Sequence, residues 1–394
     1  MFADRIDRIQ PSATLAMTSK AADLRAKGVD VINLSVGEPD FPTPQNIQNA
    51  AIKAMSDGFT RYTPGAGMMD LRQAAADKMK RDNNLDYNPK EIIVSCGGKH
   101  SLYNACQVLF QTGDEVIIFA PYWVSFPDFV AVTGATPVFV NTDASKQFEP
   151  DFDDLANKLT SNTKGIIINS PSNPTGGVWS DEAVKKVLAI AKERDIWVFS
   201  DECYEQLTYD VKYKSTATLA EDDSKILTFQ SCSKTYAMTG WRIGYTAGDA
   251  AVIKAMSKLQ GQSTSCPNSI AQVAAIEALS GDQSAVTKMR DAFKIRRELI
   301  VNRLNSIEGV TCEMPGGAFY VFPEFKDHLG KSFNGEKINT SSDLSMYFLN
   351  EKAVVTVAGD SFGAPNNIRF SYAASEEELN NALDRVEDAL QNLA

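Results

Sequence analysis

Residues 225–248, KILTFQSCSKTYAMTGWRIGYTAG, hold two strand-like runs, KILTF and RIGYTAG, joined by a turn rich in hydroxyls. Strands that bracket such a polar turn are what a sheet presents at a strand exit. Within the turn Lys234 stands between Ser233 and Thr235, and Arg242 follows eight positions later. A lysine among serines is commonly mere surface, so its purpose has to come from the rest of the chain.

Upstream, from about residue 90, the same rhythm repeats: EIIVS, EVIIFA, TPVFV, KGIIIN and IWVFSD alternate with longer amphipathic segments. With KILTF and RIGYTAG they predict an α/β fold whose large domain is a mostly parallel, seven-stranded sheet covered by helices. After Gly281 the pattern changes. Val286, Met289, Phe293, Ile300, Leu304 and Ile307 step by threes, fours and sevens through a long helix, where a second unit is expected to begin. AFYVF, VVTVAG, a helix near 342–352 and a last helix from about 375 make up a smaller α/β unit. No internal repeat or low-complexity segment interrupts the chain.

The composition excludes several classes. At 394 residues the chain suggests two domains, at roughly 150 residues each. Its 43% hydrophobic and 23% charged residues are ordinary for a soluble protein, and no run of apolar residues is long enough to span a membrane. The net charge of −11 is scattered and no basic run is present, which argues against nucleic acid. The first twenty residues lack the apolar core of a signal peptide, so a cytoplasmic location is expected. Six cysteines without a CxxC pair fit a reduced compartment, and two histidines supply a zinc site poorly.

In open α/β sheets ligands gather beyond the carboxyl ends of the strands. Five such exits are chemically loaded: CGGKHS, PYW, SPSNPTGG, DECY and QSCSK. SCGGKHS is not a Walker A motif, because His100 follows Lys99 where serine or threonine is required. Its glycine pair can still open a helix whose first N–H groups hold an anion, though a plain helix start reads equally well. Ser231, Ser233 and Arg242 add hydroxyls and a planar cation suited to phosphate oxygens. Asp201, at a strand end, serves either as a helix cap or as the partner that keeps a pyridine nitrogen protonated. Asn173 is a turn residue or, with Tyr204, a donor to a phenolate oxygen. Trp123 packs in a core or covers an aromatic ring. Phosphate cradle, carboxylate, oxygen donors and stacking surface together describe surroundings for pyridoxal 5'-phosphate, whose aldehyde needs a lysine, Lys234, to form a Schiff base.

The chain closely resembles the class I and II aminotransferases of the fold type I pyridoxal-phosphate enzymes, in particular their bacterial aspartate aminotransferase-like subgroup. The segments that carry the resemblance are NLSVGEPDFPTP, RYTPGAG, SCGGKHSLYNA, PYWVSFPD, NSPSNPTGG, SDECYEQL, SCSKTYAMTGWRIGY, GGAFYVF and NIRFSYA, which span nearly the whole chain. The resemblance implies that Lys234 is the Schiff-base lysine and Asp201 the partner of the ring nitrogen. It further implies Asn173 and Tyr204 as donors to the ring oxygen, Trp123 as the stacking ring, and Gly98, Lys99, Ser231, Ser233 and Arg242 as the phosphate loop. Tyr62 resembles a tyrosine that reaches the phosphate of the neighbouring subunit of a homodimer. Arg369 matches the arginine that grips the substrate α-carboxylate, and Gly37 the backbone position beside it.

The region QGQSTSCPNS lacks the arginine with which other dicarboxylate enzymes of the family hold the substrate side chain, and the subgroup's GGK lysine points to Lys99 instead. The expected donor is therefore aspartate and the expected acceptor 2-oxoglutarate, in a ping-pong cycle. Aromatic or prephenate transamination, a β-lyase reaction and a non-catalytic sensor of pyridoxal phosphate are the alternatives. A nicotinamide enzyme is disfavoured because no GxGxxG follows a strand. The family fold also implies a discontinuous division, with a large cofactor-binding domain at 45–281 and a small domain made of 1–44 and 282–394.

Overall fold

The structure is a computed structural model that describes residues 2–10, 13–221 and 223–394, the side chains at 13–16 and 18 excepted. Its first strands are β1 (Ile32–Asn33), β2 (Ile92–Ser95), β3 (Glu115–Ala120), β4 (Thr136–Asp143), β5 (Glu149–Pro150), β6 (Thr163–Asn169), β7 (Trp197–Asp201), β8 (Ile226–Ser231) and β9 (Gly244–Gly248). All but β1 form one sheet in the order β2-β9-β8-β7-β6-β3-β4-β5. The seven strands read from the sequence are all present. The two-residue β5 lengthens the edge, and two residues are too few to show a period of their own.

Pairing is parallel from β8 through β7, β6 and β3 to β4, whereas β9 runs antiparallel to both β8 and β2. The central strands are apolar on both faces because helices cover both. Along β3, for example, Val116 and Ile118 join Phe199, Phe229 and Leu102 on one side of the sheet. Ile117, between them, joins Ile166, Val198 and Val187 on the other. The chain steps outward one way from β3 to β4 and the other way from β6 to β8, so a crevice opens between the ends of β3 and β6.

A second core surrounds the helix Ser284–Asn305, whose Met289, Phe293, Ile300 and Leu304 are buried with Tyr320, Phe348, Phe370 and Leu383. Val286, in the first turn, packs instead with the helices over β2 and β9. The remaining strands are β10 (Tyr320–Val321), β11 (Ser332–Phe333), β12 (Glu336–Lys337), β13 (Val354–Val355), β14 (Val357–Ala358) and β15 (Ile368–Ser371). β10, β15 and β14 form an antiparallel sheet, while β1 pairs in parallel with β13 and so joins the segment around Ile32 to the C-terminal unit. The last helix, Glu376–Gln391, starts at a capping box in which Ser375 accepts from the Glu378 N–H and the Glu378 side chain accepts from Ser375. Among the described residues no helix is long and apolar enough to cross a membrane.

Beneath the carboxyl ends of β7 and β8 lies a buried polar network. The Lys78 ammonium, 2% exposed, donates to Glu205, to Asn83 Oδ1 at 3.1 Å and to Gln230 Oε1 at 2.9 Å. Tyr245 also donates to Gln230 Oε1, at 2.7 Å. Every donor of the ammonium is thereby matched, which is the condition for keeping an ion inside a core. Replacing Glu205 with alanine removes the carboxylate in direct contact with that charge and leaves it Asp82 at 3.9 Å. We predict a loss of about 3–5 kcal/mol in urea unfolding for Glu205→Ala, and a smaller loss when Lys78→Met is added to it.

Candidate active site

A cavity of about 300 Å³ lies at the crevice. Every candidate residue named from the sequence lines it except Tyr62. Tyr62 is 90% exposed on the surface of the chain.

One wall is made by the reversal of β9. Because β9 alone among the long strands enters the sheet from this edge, its first residue, Gly244, pairs with Ser95 on one side and Ser231 on the other. The Gly97-Gly98 turn rests directly on it. A Cβ at Gly244 would lie 2.3 Å from the Gly98 nitrogen, so only glycine fits. Gly97 has φ of 90° and caps the helix Gly98–Leu109 without a side chain, a conformation that glycine adopts freely. The N–H groups of Gly98 and Lys99 open that helix and have no acceptor within it. Arg242, itself at φ 58°, donates from Nη1 to Thr239 O at 2.7 Å and lays Nη2 where a Gly97 Cβ would be, 2.5 Å away. Ser231 Oγ accepts from the Ser233 N–H at 3.2 Å and donates to Ile243 O at 3.3 Å. Amides, hydroxyls and a guanidinium thus converge around one concavity of positive potential.

The floor is formed by the ends of β6 and β7. Asp201 is buried and, among the described residues, accepts only the Cys203 N–H, at 3.2 Å. Burial pushes its carboxyl up to about 7, and the neighbouring Glu202 adds to the effect while Lys234 opposes it. Glu202 is likewise pushed up by burial to about 7, although Ser200, Ser215 and Thr216 all donate to it. Asn169 Nδ2 donates to Asp201 O at 3.2 Å and its Oδ1 receives the Asn173 N–H at 2.8 Å, which fixes the NPTG turn to the strand ends. Tyr204 is buried and its hydroxyl lies 2.9 Å from that of Tyr320.

Lys234 donates to the Gly37 carbonyl. Burial lowers its pKa, helped by Arg242 and Arg369 and opposed by Cys203 and Glu38, so its free amine is more accessible than an ordinary lysine's. Arg369 is 2% exposed, donates to Asn173 Oδ1 at 2.8 Å and to Ser35 O at 2.6 Å, and among the described residues has no acceptor for its Nε. No carboxylate pairs with it among the described residues. Lys99 lies 5.0 Å from the centre of the Trp123 ring, and Trp123 packs edge-on against Phe126 and Phe129. Lys99, Lys234, Arg242 and Arg369 line the cavity against one carboxyl, Asp201. Such a surplus of positive charge suits a substrate with several anionic groups.

Asn169, Cys203 and Tyr320 also line the cavity, and the sequence reading had not singled them out. Asn169 ends an apolar run directly before the serine and proline turn, a signal that could have been used. Tyr320 lies inside the apolar GGAFYVF run, and only the strand register shows which way it faces.

The sequence pattern that defines the family "Aminotransferase class I and II" matches residues 29–386. The chain belongs to this family. A probable aspartate/prephenate aminotransferase of Rhizobium leguminosarum is 46% identical over 98% of each chain, and an aspartate aminotransferase of Geobacillus stearothermophilus is 45% identical over 98% of each. Among solved structures, the aspartate aminotransferase of Rhizobium meliloti superimposes with a TM-score of 0.95 at 40% identity over the whole of both chains. That of Thermus thermophilus with maleate gives 0.93 at 39% identity over 99% of each. As a class I and II aminotransferase the protein is an enzyme of amino-group transfer, and its fold is that of these structures.

The two buried carboxyls make the ligand-free aminotransferase sensitive to pH. Their ordinary values are 3.8 and 4.5, and both stand at about 7 in the fold. In that window the folded chain holds protons that the unfolded chain has lost, so stability falls as pH rises. Urea unfolding of ligand-free protein is expected to show lower stability at about pH 7 than at about pH 5, with a flatter slope in Asp201→Asn. An unchanged slope in that variant would count against the buried state of Asp201.

Proposed function

We propose that this aminotransferase works with pyridoxal 5'-phosphate and moves the amino group of L-aspartate to 2-oxoglutarate. The observation that carries the reading is Arg369, a buried guanidinium bonded, among the described residues, only to a carbonyl and an amide oxygen. A buried cation without a counter-ion is costly, and a bidentate α-carboxylate is the partner whose shape fits it.

The cavity suits the cofactor. The glycine-floored concavity under Gly97 and Gly98, with Ser231, Ser233 and Arg242, would hold a phosphate monoester, and Trp123 would cover the ring. Asp201 would meet the ring nitrogen, where a positive partner reverses the cost of ionising it. Asn173 and Tyr204 would donate to the ring oxygen. When bound, pyridoxal phosphate supplies an electron-poor ring that accepts the charge left at the substrate α-carbon.

The chain's own part is acid-base chemistry and positioning. Lys234 would hold the cofactor by its aldehyde, and its Nζ, unprotonated when free, would take the proton from the substrate α-carbon and later return it. Arg369 and the Gly37 backbone fix the α-carboxylate, and Lys99 takes the side-chain carboxylate of aspartate. The Thermus relative with maleate, a dicarboxylate, supports a dicarboxylic substrate. The name of the Rhizobium relative supports prephenate as a further acceptor. We read 45–281 as the large domain and 1–44 with 282–394 as the small one, closing over the substrate to exclude water. The exposed Tyr62 would reach the phosphate of a second copy, making the working unit a homodimer.

The test is the visible spectrum of the purified protein. Its cofactor band should bleach on adding L-aspartate and persist with L-phenylalanine. Bleaching by phenylalanine alone would remove the role of Lys99. Lys234→Ala should retain the cofactor through its phosphate yet lose at least about 10³-fold in turnover, measured with coupled-enzyme kinetics.

A further inference from the structure

We propose that Tyr320 is a positioning residue that links the Arg369 site to the hydroxyl of Tyr204. The proposal rests on the reading that Tyr204 donates to the cofactor's ring oxygen.

Tyr320 faces Ser371 across the β10 and β15 pair, so its side chain emerges on the same face as that of Arg369, two residues along β15. The Arg369 guanidinium lies over the Tyr320 ring, with Cζ 4.6 Å from its centre. The far end of the same ring meets Tyr204, hydroxyl to hydroxyl, at 2.9 Å. Around it stand Arg369 on β15, Tyr204 and Cys203 after β7, and Glu38 in the N-terminal segment.

Each hydroxyl has one proton. If Tyr204 gives its own outward to a ring oxygen, the Tyr204–Tyr320 contact can exist only with Tyr320 as donor and Tyr204 oxygen as acceptor. Donation into that oxygen polarises the Tyr204 O–H and strengthens it. The cation over the Tyr320 ring makes the Tyr320 phenol a better donor in turn. One chain of contacts therefore runs from the carboxylate-binding guanidinium to the donor at the ring oxygen.

Gly37 keeps the chain in place. A Cβ there would stand 2.6 Å from the Tyr320 oxygen but 3.6 Å from its Cζ, so the backbone leaves room for the hydroxyl alone. Gly37→Ala should therefore displace the Tyr320 hydroxyl, whereas in a Tyr320→Phe background the added methyl meets only ordinary contacts.

The experiment is a spectroscopic pH titration of the cofactor-loaded protein without substrate, a readout separate from turnover. Donors to the ring oxygen favour its anionic form, so losing one moves the midpoint to higher pH. Tyr204→Phe is expected to move it up. Tyr320→Phe should move it up by about half to one unit, the worth of one hydrogen bond, and the double variant should match Tyr204→Phe alone. Gly37→Ala should shift wild type but add nothing to Tyr320→Phe. A Tyr320→Phe midpoint equal to wild type, or shifts that add in the double variant, would overturn the link. If Tyr204→Phe itself leaves the midpoint in place, the underlying reading of Tyr204 fails instead.

Discussion

The site depends on one steric constraint, the contact of Gly244 with the turn before the helix Gly98–Leu109. Because β9 runs against its neighbours, its first residue meets the exits of β2 and β8 together. With no side chain there, the Gly98 amide settles onto the sheet edge. The helix start, the Ser231 hydroxyl and the Arg242 guanidinium then face a common point. Had β9 run parallel to β2 and β8, Arg242 and Gly244 would lie at the opposite end of the sheet from Gly98 and Ser231.

Electrostatics follows from that geometry. Evolution has put charge where water is absent, and each buried ion is treated differently. The Lys78 ammonium is saturated by three acceptors and is structural. Among the described residues Asp201 has a single backbone donor, and Arg369 is satisfied only by neutral oxygens. Of these three, the two under-satisfied groups line the cavity, and the saturated one lies behind it. A fold at its most stable would have matched them all, so the imbalance marks the places where a bound molecule completes the structure.

Much of this was legible in the sequence. The seven long strands announced themselves as β-branched runs, and the loaded residues followed at their exits because a parallel sheet gathers its carboxyl ends on one side. The two-residue β5 was not legible, being shorter than any period. Tyr320 was hidden for a related reason: in a run of apolar residues nothing local distinguishes the side that meets the cavity. Asn169 hid as the last letter of a strand. The exposure of Tyr62 is a property of the folded surface, and the sequence alone reads the same whether that side chain is covered or bare.

The pairing of β1 with β13 has a consequence in time. The carbonyl of Ser35 receives the guanidinium of Arg369 across 334 positions, so the carboxylate site joins two segments synthesised far apart in time. The large sheet can assemble while translation continues, but its binding site cannot. Contacts so distant in sequence form slowly, and in a nascent chain β1 lacks its pairing strand β13 until the final strands emerge. Activity is therefore confined to finished molecules, and a chain cut short before β15 would keep most of its core yet lack the group that recognises the substrate.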